Sequence, residues 1–124
     1  MSRIHHDYIP PPADGDARPS PVYSCQACRT HLVTHDDLVS KAFTGRHGPA
    51  WLFADCLNVT LGPAESRMLT TGLHVVADTF CMNCEQMVGW KYHEAFEASE
   101  KYKIGKYIVE RGRMASEPEA ALAS

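Results

Sequence analysis

The chain has 124 residues, a length for one domain, with 44% hydrophobic and 22% charged residues: enough apolar material for one modest core and too much for a chain disordered throughout. Twelve Lys and Arg against fifteen Asp and Glu give a formal charge of −3, which argues against a general nucleic-acid binder. No run approaches the roughly 20 apolar residues that cross a bilayer, and the polar start at residues 1–12 lacks the apolar centre of a secretory signal, so an intracellular protein without a membrane partner is expected.

In chain order, residues 1–21 carry Pro10, Pro11, Pro12, Pro19 and Pro21 with few large apolar groups, and read as a flexible arm. Val22–Ser24 and Ser40–Phe43 suit short strands. From Trp51 to Leu61 a period-two pattern predicts one long strand with a more deeply buried face. Gly62-Pro63 is expected to end it, because Pro cannot donate to a ladder. Met68–Thr70 and Leu73–Phe80 are the next predicted strands, separated by Thr71-Gly72, followed by Val88–Tyr92 and Tyr107–Glu110. Only His93–Lys103 looks helical, with Gly105 as its stop. Residues 113–124 read as a second flexible tail. The core, residues 22–112, is therefore expected to be mainly β, with antiparallel hairpins and one short helix.

Five cysteines in a reducing compartment point to metal or thiol chemistry rather than disulfides. Cys25-Gln-Ala-Cys28 and Cys81-Met-Asn-Cys84 share a two-residue gap. A tight turn of this size aims both sulfurs at one point, and two such turns supply the four thiolates of a closed tetrahedral zinc site. The 52 residues between the pairs are too many for a small finger. One structural zinc ion would instead fasten the start of the domain to a late hairpin. A redox pair would open a helix in a βαβ setting, and neither pair does. A catalytic zinc needs a position open to water, which four sulfurs do not leave. Four thiolates and a divalent ion take the formal charge from −3 to about −5, further from nucleic acid.

The other candidates have plainer readings. Cys56 would need exposure and a basic partner to be a nucleophile, and reads as a small buried hydrophobe. His31 and His35 would share a face if their segment were helical, but brace a turn if it is a loop. His74 reads as a hydrogen-bonded sheet residue. Lys101-Tyr-Lys-Ile-Gly-Lys-Tyr107 reads as an edge strand guarded by lysines rather than a phosphate contact. Trp90 in Gly89-Trp90-Lys91 sits where a ring and bare backbone can wall a binding pocket.

The spaced set Cys25, Cys28, Gly48, Leu52, Asn58, Gly72, Cys81, Cys84 and Gly89-Trp90-Lys91 resembles the signature of the Yippee family. His31-Leu32, His35-Asp36, Leu38-Val39-Ser40-Lys41, Gly72-Leu73-His74 and Lys101-Tyr-Lys add to it, and the resemblance covers about residues 22–111. It implies zinc on Cys25, Cys28, Cys81 and Cys84. It also implies two antiparallel sheets, splayed apart and joined at one end by this four-cysteine zinc site. Yippee proteins are similar in fold to the ligand-binding domain of cereblon, whose cage of three Trp holds a cyclic imide or a modified peptide end. Trp90 corresponds to one of the three, and the strand before Cys81 offers none. The related methionine-R-sulfoxide reductases need a catalytic Cys after the second pair, and this chain has no Cys beyond Cys84.

The family further implies a nuclear or cell-division role and association with a ubiquitin-ligase assembly of the CTLH type. The expectation is thus a non-enzymatic, monomeric zinc domain in nucleus or cytoplasm that binds a protein or peptide near Trp90. The alternative is small-molecule binding or reductase-like activity in the same pocket.

Overall fold

The structure is a computed structural model that describes residues 20–117. Most of the expected arm, residues 1–19, and residues 118–124 of the expected tail lie outside the described residues. Nine strands follow in order: β1 (Val22–Cys25), β2 (His31–Thr34), β3 (Leu38–Gly45), β4 (Gly48–Phe53), β5 (Val59–Leu69), β6 (Gly72–Cys81), β7 (Met87–Ala95), β8 (Tyr107–Glu110) and β9 (Met114–Glu117). They form two sheets, β2-β1-β9 and β3-β4-β8-β7-β6-β5, with every pairing antiparallel.

The larger sheet is covered on both faces by side chains of opposite parity, as a strand's period of two requires. Phe53, Val88 and Val109 pack toward Tyr23, Cys25, Leu32 and Val33 of the smaller sheet, with Trp51 and Tyr107 at the margin. Ala50, Leu52, Val76, Tyr92 and Ile108 form a second buried cluster, joined by Phe43, Leu69 and Trp90. Along β8 the two clusters alternate residue by residue, Tyr107 and Val109 to the first and Ile108 to the second.

Several boundaries differ from expectation. The predicted strand Trp51–Leu61 is two strands separated at residues 54–58. Asn58 takes the left-handed conformation, at φ 59, which Asn tolerates better than most residues, and its Nδ2 donates to the His31 carbonyl at 2.8 Å. Cys56 and Asn58 stay buried through this break, so the apolar pattern continues where the strand does not. Gly62-Pro63 does not end β5. A register shift between Leu61 and Ala64 accommodates the pair, and β5 is the outermost strand, where a missing N–H costs no ladder bond.

The predicted helix His93–Lys103 is instead the end of β7 followed by a 3-10 turn, Ala98–Lys103. Its apolar residues do not converge on one face: Phe96 and Tyr102 are exposed while Ala95 is buried. The lysine-guarded edge strand is absent for the same reason, since Lys101 and Lys103 lie in that turn. Met114–Glu117, assigned to the tail, form β9 by pairing with β1 from Val22↔Glu117 to Cys25↔Met114. His31 lies on β2 and His35 in a 3-10 turn, where its Nδ1 is 3.0 Å from the Tyr23 hydroxyl.

Candidate metal centre and the cavity across the sheet

Cys25 ends β1 and Cys28 lies in the turn after it; Cys81 ends β6 and Cys84 lies in the turn after that. The two turns are built alike. In the first, the Arg29 N–H donates to the Cys25 carbonyl at 2.7 Å and the Cys25 N–H to the Thr30 carbonyl at 2.8 Å. In the second, Glu85 donates to Cys81 at 2.7 Å and Cys81 to Gln86 at 2.8 Å. Each turn closes through a left-handed residue, Arg29 at φ 67 and Glu85 at φ 68. A side chain there costs roughly 1 kcal/mol. Exposed Glu85 can therefore be improved: Glu85→Gly is expected to raise the melting temperature of the metal-loaded domain by about 3–6 °C. An unchanged or lower transition in a thermal scan would contradict this.

The turns bring all four Sγ atoms within 4.8 Å of one another. Cys25 and Cys84 sulfurs are 3.6 Å apart, and those of Cys28 and Cys81 3.5 Å. A tetrahedron of sulfurs around zinc has edges of about 3.8 Å, so the set fits that ion with little adjustment. Among the described residues these four are the only group of His, Cys, Asp or Glu so arranged as to hold a metal. His31 and His35 are not part of it. The cluster links the two sheets, since Cys25 belongs to the smaller and Cys81 to the larger.

The thiols are unequal. Burial pushes Cys25 up to about 12 and raises Cys81, with the neighbouring sulfurs adding to both shifts. Burial also acts on Cys28, but hydrogen bonds from Thr30, whose hydroxyl is 3.1 Å from the sulfur, from Asn83 and from Cys81 outweigh it and hold Cys28 at about 6. Without metal, Cys25 and Cys81 therefore carry protons at neutral pH and Cys28 does not. Zinc must displace the first two, so affinity rises with pH by about tenfold per unit for each. Metal-competition titrations are expected to show at least a hundredfold gain per pH unit above about 6 and a steeper dependence below it, where Cys28 also protonates. A pH-independent affinity would contradict this assignment.

Cys56 is 8% exposed, and burial, the Asp55 charge and Cys81 raise its pKa. These are the reverse of the conditions that activate a thiol. His74 is fully buried, with Nδ1 2.8 Å from the Gly72 carbonyl oxygen.

Trp90 stands on the sheet face opposite the one that packs toward the metal cluster. It pairs across the ladder with Asp78 and Ile108 and borders a cavity of about 630 Å³. Phe43, Tyr92 and Tyr102 supply further aromatic wall. Lys103, 2% exposed, enters from the 3-10 turn. Its Nζ donates to Glu100 at 2.7 Å and to Thr71 at 3.1 Å, and lies 5.3 Å and 5.2 Å from the ring centroids of Phe43 and Tyr92. The Trp90 Nε1 atom is buried and makes no well-formed hydrogen bond, with the Tyr92 phenol beside it. Burial raises the Tyr92 phenol, and the Trp90 indole N–H beside it lowers it. Sequence reasoning found Trp90 and missed Tyr92, Lys103, Glu100 and Phe43. The period-two step from Trp90 to Tyr92 was the available signal; the rest reach the cavity through turns and neighbouring strands.

A sequence profile described as "Yippee zinc-binding/DNA-binding /Mis18, centromere assembly" matches residues 21–117. Protein yippee-like 4 of Homo sapiens is 59% identical over 92 residues, covering 74% of this chain and 72% of that protein. Protein yippee-like 3 of Homo sapiens is 59% identical over 92 residues, covering 74% of this chain and 77% of that protein. Among solved structures, the crystal structure of the Mis18 "Yippee-like" domain superposes with a TM-score of 0.64 at 15% identity, over 80% of this chain and 96% of that one, a likeness of fold. With its paired cysteine turns, its two sheets and these matches, the chain belongs to the Yippee family of zinc-binding domains.

Proposed function

We propose that this chain is a non-enzymatic, monomeric interaction domain. One zinc ion on Cys25, Cys28, Cys81 and Cys84 holds its two sheets together, and a segment of a partner protein enters the cavity beside Trp90. The observation that carries the reading is the division of labour across one sheet. One face closes over four sulfurs, and the other opens into a cavity with Phe43, Trp90, Tyr92 and Tyr102 in its wall. A tetrahedral sulfur shell leaves no coordination position for substrate, and the buried Cys56 supplies no reactive thiol. Zinc chemistry here is structural: the ion fixes the ends of β1 and β6. A nuclear role accords with the centromere-assembly wording of the family description, and a ubiquitin-ligase assembly of the CTLH type is the partner the sequence resemblance favours.

Trp90→Ala is expected to deplete captured partners at least tenfold in affinity purification from cells, with zinc content and circular dichroism unchanged. Tyr102→Ala, at a half-exposed lining residue, serves as an independent check. Full partner recovery by both folded variants would overturn the placement of the binding surface.

A further inference from the structure

The face of the larger sheet opposite the cavity gathers cations on aromatic rings. At its margin Lys41 Nζ lies 4.6 Å and Arg111 Cζ 5.3 Å from the centroid of the Trp51 ring, and Lys91 Nζ lies 5.2 Å from that of Tyr107. Both rings are half-buried. They share one face: Phe53, two residues on from Trp51, pairs across the ladder with Tyr107, and Tyr107 pairs with Lys91. Lys41, Trp51, Tyr107 and Lys91 thus step across β3, β4, β8 and β7, three strand spacings or about 15 Å. Arg111 is fixed there by donating to the Met114 carbonyl at 3.1 Å. Four other cations have acidic partners: Arg29 has Glu117, Arg67 has Asp78, Lys103 has Glu100 and Arg113 has Glu110. Among the described residues Lys41, Lys91 and Arg111 have none, in a chain whose formal charge of −3 leaves acids in excess. Two like charges drawn to one indole repel until an anion joins them.

We infer that this strip docks a short acidic segment of a partner protein, one carboxylate seated by Lys41 and Arg111 beside Trp51 and a second by Lys91 beside Tyr107. About 15 Å is the span of four or five residues of extended chain, which sets the spacing of the two acids. The Arg111 guanidinium, oriented by the Trp51 ring and the Met114 carbonyl, presents a preorganised fork to a carboxylate. The surroundings select a short acidic run over a continuous polyanion. Asp36 and Asp37 precede β3 and Asp55 follows β4; burial, then the charges of Asp55 and Asp36, raise the Asp37 carboxyl. The phosphates of a nucleic acid would run on past the strip and meet these carboxylates, whereas a peptide whose acids stop within it would not. The surface lies across the sheet from Trp90 and is independent of the role proposed for that cavity.

The test is NMR of the tryptophan indole N–H groups in the zinc-loaded full chain, with Trp90 on the opposite face as reference. The probes are end-capped hexaglutamate, end-capped hexaglutamine, a glycine-flanked phosphoserine peptide and a short single-stranded DNA. Hexaglutamate is expected to shift the Trp51 resonance to saturation and leave Trp90 still, with affinity falling about fivefold or more between roughly 50 and 200 mM salt. Hexaglutamine is expected to move neither. Lys41→Glu and Lys91→Gln alter side chains that make no hydrogen bond among the described residues. They are expected to weaken hexaglutamate binding by roughly tenfold and threefold, at unchanged zinc content and melting temperature. A still Trp51 resonance, an equal response to hexaglutamine, or full affinity in both variants would overturn the inference. Phosphoserine peptide or DNA binding here roughly tenfold tighter than hexaglutamate would overturn the assignment to the carboxylates of a protein partner.

Discussion

Cys25→Ser is expected to leave the domain unfolded even in excess zinc. The smaller sheet consists of three strands of four residues each, too little to stand alone, and it contains Cys25 at a fully buried position. Its tie to the larger sheet runs through the sulfur cluster and the apolar contacts around Tyr23, Leu32 and Val33. A structural zinc contributes on the order of 10 kcal/mol. A domain of this size has a total stability of only about 5–15 kcal/mol. Losing one of four thiolates from a buried corner therefore removes most of the margin, and complete chelation of the native protein should do the same. Circular dichroism with a thermal scan reads the outcome. A cooperative transition within a few degrees of the parent would show that packing alone sustains the fold.

Gly89→Ala is the second large effect. A β-carbon at position 89 would collide with the Ile108 carbonyl oxygen on the neighbouring strand, lie 2.7 Å from the carbonyl carbon and reach 3.0 Å from the Val109 Cα. All three obstacles are backbone in the middle of the larger sheet, so no side-chain rotation relieves them. Either β7 or β8 must move, which disrupts the pairing of Trp90 with Ile108 and of Lys91 with Tyr107. The cost is expected to be about 3 kcal/mol or more, a fall of roughly 12–24 °C in melting temperature. Gly112→Ala is the control. Nothing lies within 4 Å of its added carbon, and it should change stability by less than about 0.5 kcal/mol. Equal transitions for the two variants would mean that β7 and β8 do not approach as closely as described.

The metal cluster was legible in the sequence because a two-residue gap between cysteines constrains geometry locally, and the same gap twice demands a shared centre. β8 was legible to the residue because its apolar run is short and bounded by turn residues. Three features were hidden for physical reasons. The break at residues 54–58 keeps Cys56 and Asn58 buried beneath the smaller sheet, so burial there reflects tertiary contact rather than strand periodicity. The turn at residues 98–103 is rich in helix-forming residues, but its geometry follows anchoring from outside. The Lys103 ammonium is held by Thr71 at the far hairpin, and Lys101 donates to the Ala95 carbonyl at 2.7 Å. β9 is stabilised by pairing with β1 across most of the chain, a long-range bond that composition cannot report. The cavity belongs to this third kind, since Trp90 and Lys103 meet only once β7 and the turn after it have folded back.

The most direct test of the account is X-ray absorption at the zinc edge of purified protein, combined with elemental analysis. One zinc per chain is expected, bound by four sulfurs at about 2.3 Å. A nitrogen, oxygen or water ligand in the shell, or less than half an equivalent of metal in folded protein, would contradict it.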